Sequence, residues 1–170
     1  MKDVKVIDNF LNAQEYNSVI NTVVSKNFPW YISDESDYPG DKNAQLFHIL
    51  YNNNIPYSNY FDKFQPIYDK LKIFSLFKVR LIATMKYDGK DNMFHTDLEN
   101  VDLFKVPTKT AIFYLNSNDG GTEFEHNNQI VNSVSNRMVV FPSYLKHRTI
   151  KHKDEEVFRY VLNLNYVDIC

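Results

Sequence analysis

Short β-prone runs dominate the chain from about residue 77 to its end, and turn residues separate them. This spacing is typical of an antiparallel sandwich or barrel. The predicted strands are KVRLIATMKY, TKTAIFYL, GTEFE, QIVNSV, NRMVVF, HRTI and VFRYVLNLNYV. In the last of them, alternation places Phe158, Tyr160, Leu162, Leu164 and Tyr166 on an apolar face and Arg159, Val161, Asn163 and Asn165 on the other.

The first part of the chain shows helical periodicity instead. In LNAQEYNSVINTVVSKN, Asn12 is placed to cap a helix, and Glu15, three residues later, completes a capping box. A second helical pattern lies in YSNYFDKFQPIYDKLKIF, where Pro66 must begin a new helix or kink the first. Residues 31–43 have no periodicity and predict an exposed loop that could act as a lid.

The organisation predicted from these patterns is a single domain over residues 1–170. Residues up to about 76 would supply helical support and the lid, and residues from about 77 to 170 would form the β core. The chain contains no internal repeat and no linker that would divide it. The predicted architecture is mainly β, with helices packed on the outside of a sandwich.

Composition and charge narrow the classes of function. The net charge is −2, so no general attraction to nucleic acid or an anionic membrane is expected, and the hydrophobic fraction of 44% argues against disorder. Cys170 is the only cysteine, which excludes an internal disulfide and a cysteine-rich zinc site. With no apolar stretch of spanning or signal length, we expect a soluble cytoplasmic protein, in the host cytoplasm if a phage encodes it.

Three residues form a candidate metal site. His95 and Asp97 lie two positions apart in FHTDLEN, so in an extended segment they project from the same face. His147 begins a later predicted strand that could return beside them. Two imidazoles and one carboxylate leave open coordination positions, a donor set that suits Fe(II) in oxygenases and also Zn²⁺.

Arg159 suggests what else the site binds. If its face of the last strand lines the interior of the sandwich, its guanidinium needs an anion there, because such a group is stable in a partly buried pocket when a carboxylate meets it in a forked geometry. A dicarboxylate cosubstrate would meet this requirement. Arg80, Lys86 and Lys90, by contrast, are expected to be scattered surface charges.

Several segments in order resemble the Fe(II)- and 2-oxoglutarate-dependent oxygenases, and among them the small prolyl 4-hydroxylase-like group with its short phage-type members. The similarity begins at VIDNFLNAQEY and becomes specific from MKYDGKDNMFHTD through AIFYLN and NDGGTEFE. It implies a double-stranded β-helix core of the jelly-roll or cupin type. It also implies that His95, Asp97 and His147 are the iron ligands and the catalytic centre.

The same resemblance implies the cosubstrate site. Arg159, twelve residues after His147, matches the basic residue that grips the distal carboxylate of 2-oxoglutarate. Tyr114 matches a tyrosine that hydrogen-bonds the cosubstrate, and Tyr87 matches one that lines the same pocket. The implied cofactors are Fe(II), 2-oxoglutarate and O₂, with ascorbate as a candidate reductant.

The implied activity is hydroxylation of a C–H bond with conversion of 2-oxoglutarate to succinate and carbon dioxide. A peptide, a protein or a small molecule is favoured as substrate, and the target is a prolyl residue or another amino-acid side chain. A nucleic-acid oxygenase, a non-catalytic metal-binding module and a zinc hydrolase remain as alternatives. The loops at residues 31–43 and 98–107 are expected to rim the pocket. The sequence leaves the oligomeric state open.

Overall fold

The computed structural model describes residues 4–34, 44–86, 92–98 and 107–169. Within these ranges the helices are α1 (Ala13–Val23) and α2 (Gln65–Lys70), and a 3₁₀ turn at Phe61–Phe64 precedes α2. The strands are β1 (Lys5–Ile7), β2 (Tyr31–Ser33), β3 (Gln45–Asn52), β4 (Ile55–Pro56), β5 (Ile73–Met85), β6 (Lys109–Tyr114), β7 (Gly121–Phe124), β8 (Gln129–Asn132), β9 (Arg137–Pro142), β10 (His147–Ile150) and β11 (Phe158–Asp168). No described helix is long and apolar enough to cross a membrane.

Two antiparallel sheets form the core. The larger sheet has the order β1-β9-β6-β11-β5-β3-β2, with β4 paired to β3, and the smaller sheet has the order β10-β7-β8. A buried apolar cluster joins them: Ile112, Tyr114 and Val161 of the larger sheet meet Phe124 and Val131 of the smaller sheet. The predicted β-sandwich with flanking helices is therefore confirmed, and every strand predicted after residue 77 is present.

The helices lie on the other face of the larger sheet. The capping box at α1 is formed, since Asn12 accepts from the backbone of Glu15 and the Glu15 carboxylate accepts from the backbone of Asn12. Val19 and Val23 of α1 belong to the same buried cluster as Leu162 and Leu164 of β11. Pro66 lies in the first turn of α2, where its missing N–H costs no helical hydrogen bond.

The segment before residue 77 contains more β structure than its sequence pattern predicts. β3 pairs with β5 over most of its length, and β2 adds a further strand at residues 31–33, which were expected to be loop. Two features explain why the sequence pattern does not predict β2 and β3. His48 and Gln45 interrupt the apolar pattern of β3, although both are buried, and the β2 side chain of Ile32 is 78% exposed at the sheet edge. The rest of the proposed lid, residues 35–43, lies outside the described residues, as do residues 99–106 of the second rim loop.

Candidate active site

The two histidines of the candidate metal site are joined by their backbones. His95 forms an isolated antiparallel bridge with His147, and each donates its backbone N–H to the other's carbonyl, at 2.9 and 3.0 Å. A directly paired position in an antiparallel ladder puts both side chains on the same face. The imidazole ring centroids consequently lie 4.8 Å apart.

Asp97 completes the cluster. Its Oδ1 atom lies 3.8 Å from His95 Nε2 and 3.7 Å from His147 Nε2. Each separation is less than twice a metal–ligand bond of about 2.1 Å, so one ion can contact both partners of either pair. Among the described residues, His95, Asp97 and His147 are the three that bring candidate ligand atoms within 4.8 Å of one another.

The backbone orients both imidazoles for metal binding. The Nδ1 atom of His95 lies 3.1 Å from the carbonyl oxygen of Met93, and Nδ1 of His147 lies 3.0 Å from that of Leu145. A carbonyl can only accept, so these contacts place the proton on Nδ1. Nε2 of each ring then faces Asp97 Oδ1 and is the nitrogen available to a metal ion, the usual arrangement of a metal-bound histidine.

Two asparagines hold the Asp97 carboxylate. The side-chain amides of Asn163 and Asn165 both donate to Oδ2, at 3.1 and 3.2 Å, which leaves Oδ1 turned toward the histidines. Burial alone would raise the pKa of Asp97, but the histidines and these two amides outweigh it and hold the pKa below its usual value. The carboxylate is thus ionised and fixed in the orientation a metal requires. Alternation along β11 predicts that both asparagines share its polar face, but it does not indicate this function.

Arg159 lies in the same cavity. It is only 2% exposed; one terminal nitrogen donates to the carbonyl of Gly121 at 3.2 Å, while its buried Nε has no hydrogen-bond partner. Burial lowers the pKa of Arg159. A buried guanidinium with an unused donor is costly without an anion, so this geometry suits a carboxylate ligand.

The ring of Tyr114 packs against the guanidinium of Arg159. The Arg159 guanidinium carbon lies 5.3 Å from the Tyr114 ring centroid, a cation–π contact. The Tyr114 hydroxyl is buried, within 2.7 Å of the Thr122 hydroxyl and 3.2 Å of the Val131 carbonyl, and Tyr114 is not among the cavity-lining residues. Direct contact between Tyr114 and a cosubstrate stays a prediction. Tyr87 lies outside the described residues.

The cavity that contains these groups has a volume of about 290 Å³. Besides the metal-site residues and Arg159, it is lined by polar and apolar side chains of several strands: Gln45, Lys78, Arg80, Ile82, Thr84, Asn92, Thr96, Ile112, Thr149, Val161 and Asn163. Arg80, expected on the surface, therefore lies in the cavity, and Lys78 was not singled out from the sequence. Alternation along KVRLIAT is the signal for both, because Lys78, Arg80, Ile82 and Thr84 share one face of β5.

The histidines outside the metal cluster have different surroundings. His48 contacts the Pro29 carbonyl through Nδ1 and the Ser58 hydroxyl through Nε2, and its burial lowers its pKa. His152 contacts the Glu156 carbonyl. Neither lines the cavity, and His126 does not line it either.

Comparison with known proteins gives no match to a family model or to a curated protein sequence. Solved structures do match. A prolyl hydroxylase from Trichoplax adhaerens, in complex with a peptide fragment of the hypoxia inducible factor oxygen degradation domain, is 15% identical with a TM-score of 0.72, covering 99% of this chain and 84% of that one. The viral collagen prolyl hydroxylase of Paramecium Bursaria Chlorella virus-1, in a 2-oxoglutarate complex, is 15% identical with a TM-score of 0.60, covering 98% and 96%.

A third similar structure is that of HygX from Streptomyces hygroscopicus, with nickel and 2-oxoglutarate bound. It is 14% identical with a TM-score of 0.64, covering 98% of this chain and 83% of that one. At these identities the similarity establishes the fold. The expected jelly-roll fold of the 2-oxoglutarate oxygenases, including their prolyl hydroxylase members, is thereby confirmed.

Proposed function

We propose that this protein is an Fe(II)- and 2-oxoglutarate-dependent dioxygenase that hydroxylates a C–H bond and releases succinate. The observation that carries the proposal is the presence, in one cavity, of a two-histidine, one-carboxylate cluster and a buried arginine with an unused donor. The cluster alone would also suit a zinc site, and the arginine alone would suit any small anion. Together they provide the two attachments that a metal-chelating dicarboxylate needs.

The residues present fit a bound metal ion. Both Nε2 atoms and Asp97 Oδ1 converge, while the outward atoms of all three side chains are held by the backbone or by Asn163 and Asn165. This donor set on one side of an ion suits non-haem Fe(II) and leaves positions open for other ligands. HygX has a similar fold, and its structure contains bound nickel and 2-oxoglutarate, which supports this assignment.

Arg159 would bind the far carboxylate of 2-oxoglutarate. Its buried Nε has no partner and its terminal nitrogen contacts a neutral carbonyl, so the guanidinium can form the forked contact with a carboxylate. Tyr114 and Gly121 would keep the guanidinium in position from the other side. The viral collagen prolyl hydroxylase, whose structure contains 2-oxoglutarate, supports a cosubstrate of this class.

Iron with bound 2-oxoglutarate and O₂ supplies the oxidant, and the chain's contribution is placement and protection. The histidines and Asp97 hold the centre, Arg159 orients the cosubstrate, and Ile82, Ile112 and Val161 line the cavity with apolar surface that limits access of water. The proposed substrate is an amino-acid side chain, a prolyl residue among the candidates. The peptide complex of the Trichoplax enzyme supports an extended substrate.

The proposal is tested by measuring succinate formed from 2-oxoglutarate by the purified protein, with and without Fe(II) and O₂. Without a substrate, decarboxylation of 2-oxoglutarate supplies only two of the four electrons that O₂ takes up, so ascorbate is added as reductant. We then expect slow succinate formation that requires the metal, 2-oxoglutarate and O₂ and is lost in His147→Ala. Lys86→Gln, which changes an exposed residue that does not line the cavity, is the matched control and should keep the activity. Succinate formation that persists in His147→Ala, or hydrolytic activity with Zn²⁺ in place of oxygen-dependent turnover, would contradict the proposal.

A further inference from the structure

The backbone bridge between the two histidines also brings a second pair of side chains together, Phe94 and Arg148. His95 and His147 are directly opposed, and in an antiparallel pairing the adjacent positions Phe94 and Arg148 are then opposed as well. Successive side chains of an extended segment project to opposite faces, so this second pair lies on the face away from the metal-binding cluster. There the guanidinium carbon of Arg148 lies 4.6 Å from the ring centroid of Phe94, a cation–π contact.

Glu123 fixes the position of Arg148. Glu123 on β7 is the cross-strand partner of Arg148 on β10, and the Nε atom and one terminal nitrogen of Arg148 lie 2.7 and 2.6 Å from the same carboxylate oxygen. The side chains of Arg148 and Glu123 are 30% and 14% exposed, so this ion pair is partly shielded from solvent and is screened less than a surface pair. The guanidinium is therefore held on the smaller sheet, in the position where it contacts Phe94.

The fold holds the two histidines to different degrees. His147 is buried, and its ring packs against Phe141 and Phe124 with centroid distances of 4.8 and 6.3 Å. The side chain of His95 is 31% exposed, and its ring contacts that of His147. The position of His95 thus depends on the pairing of its own backbone with β10, where two hydrogen bonds give a modest net stabilisation.

We propose that Arg148 is a positioning residue of the metal site. By binding Phe94 on the outer face, it keeps the segment that carries His95 and Asp97 paired with β10, so that the ligand atoms converge before a metal binds. This inference rests on the proposed oxygenase function, and it adds a contact outside the cavity that determines how strongly the metal is bound. A metal ion joins His95 to His147, so metal binding and pairing of the segment reinforce each other.

The inference is tested first in metal-free protein, by hydrogen exchange of the His95 and His147 backbone amides. Both amides are bonded across the bridge, so they exchange when the segment separates from β10. Phe94→Leu removes the cation–π contact and keeps an apolar side chain, whereas Arg148→Met removes the charge. Each variant should accelerate exchange of both amides roughly 3- to 30-fold, the effect of losing a partly buried cation–π contact, while the amides of β5 and β11 keep their wild-type rates.

The second measurement is calorimetric titration with Co(II), a probe of the metal site that is stable in air. The apparent affinity depends on the fraction of the protein in which the segment is paired, so Phe94→Leu and Arg148→Met should weaken Co(II) binding by at least about threefold. In wild-type protein, bound Co(II) should slow exchange of the His95 and His147 amides. Phe94→Tyr keeps an aromatic ring beside the guanidinium and should match the wild type in both measurements.

A matched control separates this contact from a general loss of an ion pair. Arg137→Met removes another arginine–carboxylate pair, with Asp8, at a position that does not line the cavity. It should leave the Co(II) affinity and the exchange of both histidine amides unchanged. Circular dichroism confirms that each variant is folded. If Arg148→Met, which leaves Glu123 without this partner, does not fold, Phe94→Leu and Phe94→Tyr still decide the question.

Three results would overturn the inference. Amide exchange at the bridge could be unchanged in Phe94→Leu, which would show that pairing does not depend on the outer contact. Exchange could accelerate while the Co(II) affinity stays at its wild-type value, which would assign Arg148 to stability alone. Phe94→Tyr could lose as much affinity as Phe94→Leu, which would exclude the cation–π contact as the cause. If wild-type protein bound no Co(II), the proposed function would fail together with the inference, whereas normal Co(II) and 2-oxoglutarate binding in the wild type and in every variant would contradict the inference alone.

Discussion

The two faces of β11 are made by one stretch of eleven residues and have opposite chemistry. One face presents Leu162, Leu164 and Tyr166 to the apolar core beneath the helices. The other presents Arg159 and Asn163 to the cavity, beside Asp97 and the histidines. The side chains of the apolar face are packed against other residues of the protein. On the polar face, the buried Nε of Arg159 has no hydrogen-bond partner.

This difference separates stability from function along a single strand. Each buried aliphatic side chain contributes roughly 1.5–3 kcal/mol to folding through removal of apolar surface from water. A buried cation contributes nothing of that kind and carries a desolvation cost. The stability of the fold therefore does not explain why a buried cation lies on the cavity face, whereas ligand binding does. A substitution on the apolar face should lower stability and leave ligand affinity unchanged, whereas a substitution on the cavity face should weaken ligand binding with little loss of stability.

The largest effect is expected at the metal-binding cluster. Asp97→Ala removes the charged ligand to which both histidines turn, so Fe(II) affinity should fall by at least about 100-fold, more than loss of an outer contact usually costs. The metal-free variant should also unfold at a lower temperature, because Asn163 and Asn165 lose an acceptor, which costs about 1–3 kcal/mol; the Fe(II) affinity is therefore measured where the variant is folded. Calorimetric titration with Fe(II) under nitrogen measures the affinity, and near-normal Fe(II) affinity would exclude Asp97 as a ligand.

On the apolar face, Leu164→Ala should reduce the free energy of unfolding by about 2–5 kcal/mol, because a fully buried leucine leaves a cavity. Urea denaturation measures this change. At temperatures where the variant is folded, its affinity for Fe(II) and 2-oxoglutarate should equal that of wild type. A selective loss of 2-oxoglutarate affinity in folded Leu164→Ala would show that the two faces are not independent.

On the cavity face, Arg159→Met should show the reverse pattern. The apparent KM for 2-oxoglutarate should increase about 30- to 150-fold, the effect of losing a buried charge-assisted contact of about 2–3 kcal/mol. The free energy of unfolding should be unchanged or increased, because an apolar side chain of similar length replaces a buried cation. Succinate formation at increasing 2-oxoglutarate gives the KM, and an unchanged value would remove Arg159 from the cosubstrate site.

The smallest effect is expected for Tyr114→Phe. This variant tests whether Tyr114 contacts the cosubstrate or only positions Arg159. The hydroxyl contacts Thr122 and Val131, so its loss should cost about 1 kcal/mol of stability. If Tyr114 only positions Arg159, the KM for 2-oxoglutarate should increase less than about fivefold, since the ring and its cation–π contact remain. An increase as large as that of Arg159→Met would instead show direct contact with the cosubstrate.

The β core could be predicted from the sequence because its strands are short β-prone runs that end at turn residues, as the apolar run of β9 and the alternating β11 do. The metal cluster could be predicted because His95 and Asp97 share a face and the family resemblance includes His147. β3 could not, because its polar residues are buried against partners distant in sequence, as His48 is against Pro29 and Ser58. The position of Lys78 in the cavity could not be predicted either. Alternation shows which residues share a face of a strand, but not whether that face lines a cavity.

The central claim is that one cavity binds a metal through three side chains and a dicarboxylate through that metal and Arg159. It is tested most directly by anaerobic titration of the metal-free protein with Fe(II) and then 2-oxoglutarate, following the visible metal-to-ligand charge-transfer band. We predict a band that saturates with 2-oxoglutarate in wild-type protein and is absent in His147→Ala. A folded, iron-bound wild-type protein that gives no band with 2-oxoglutarate would contradict the claim.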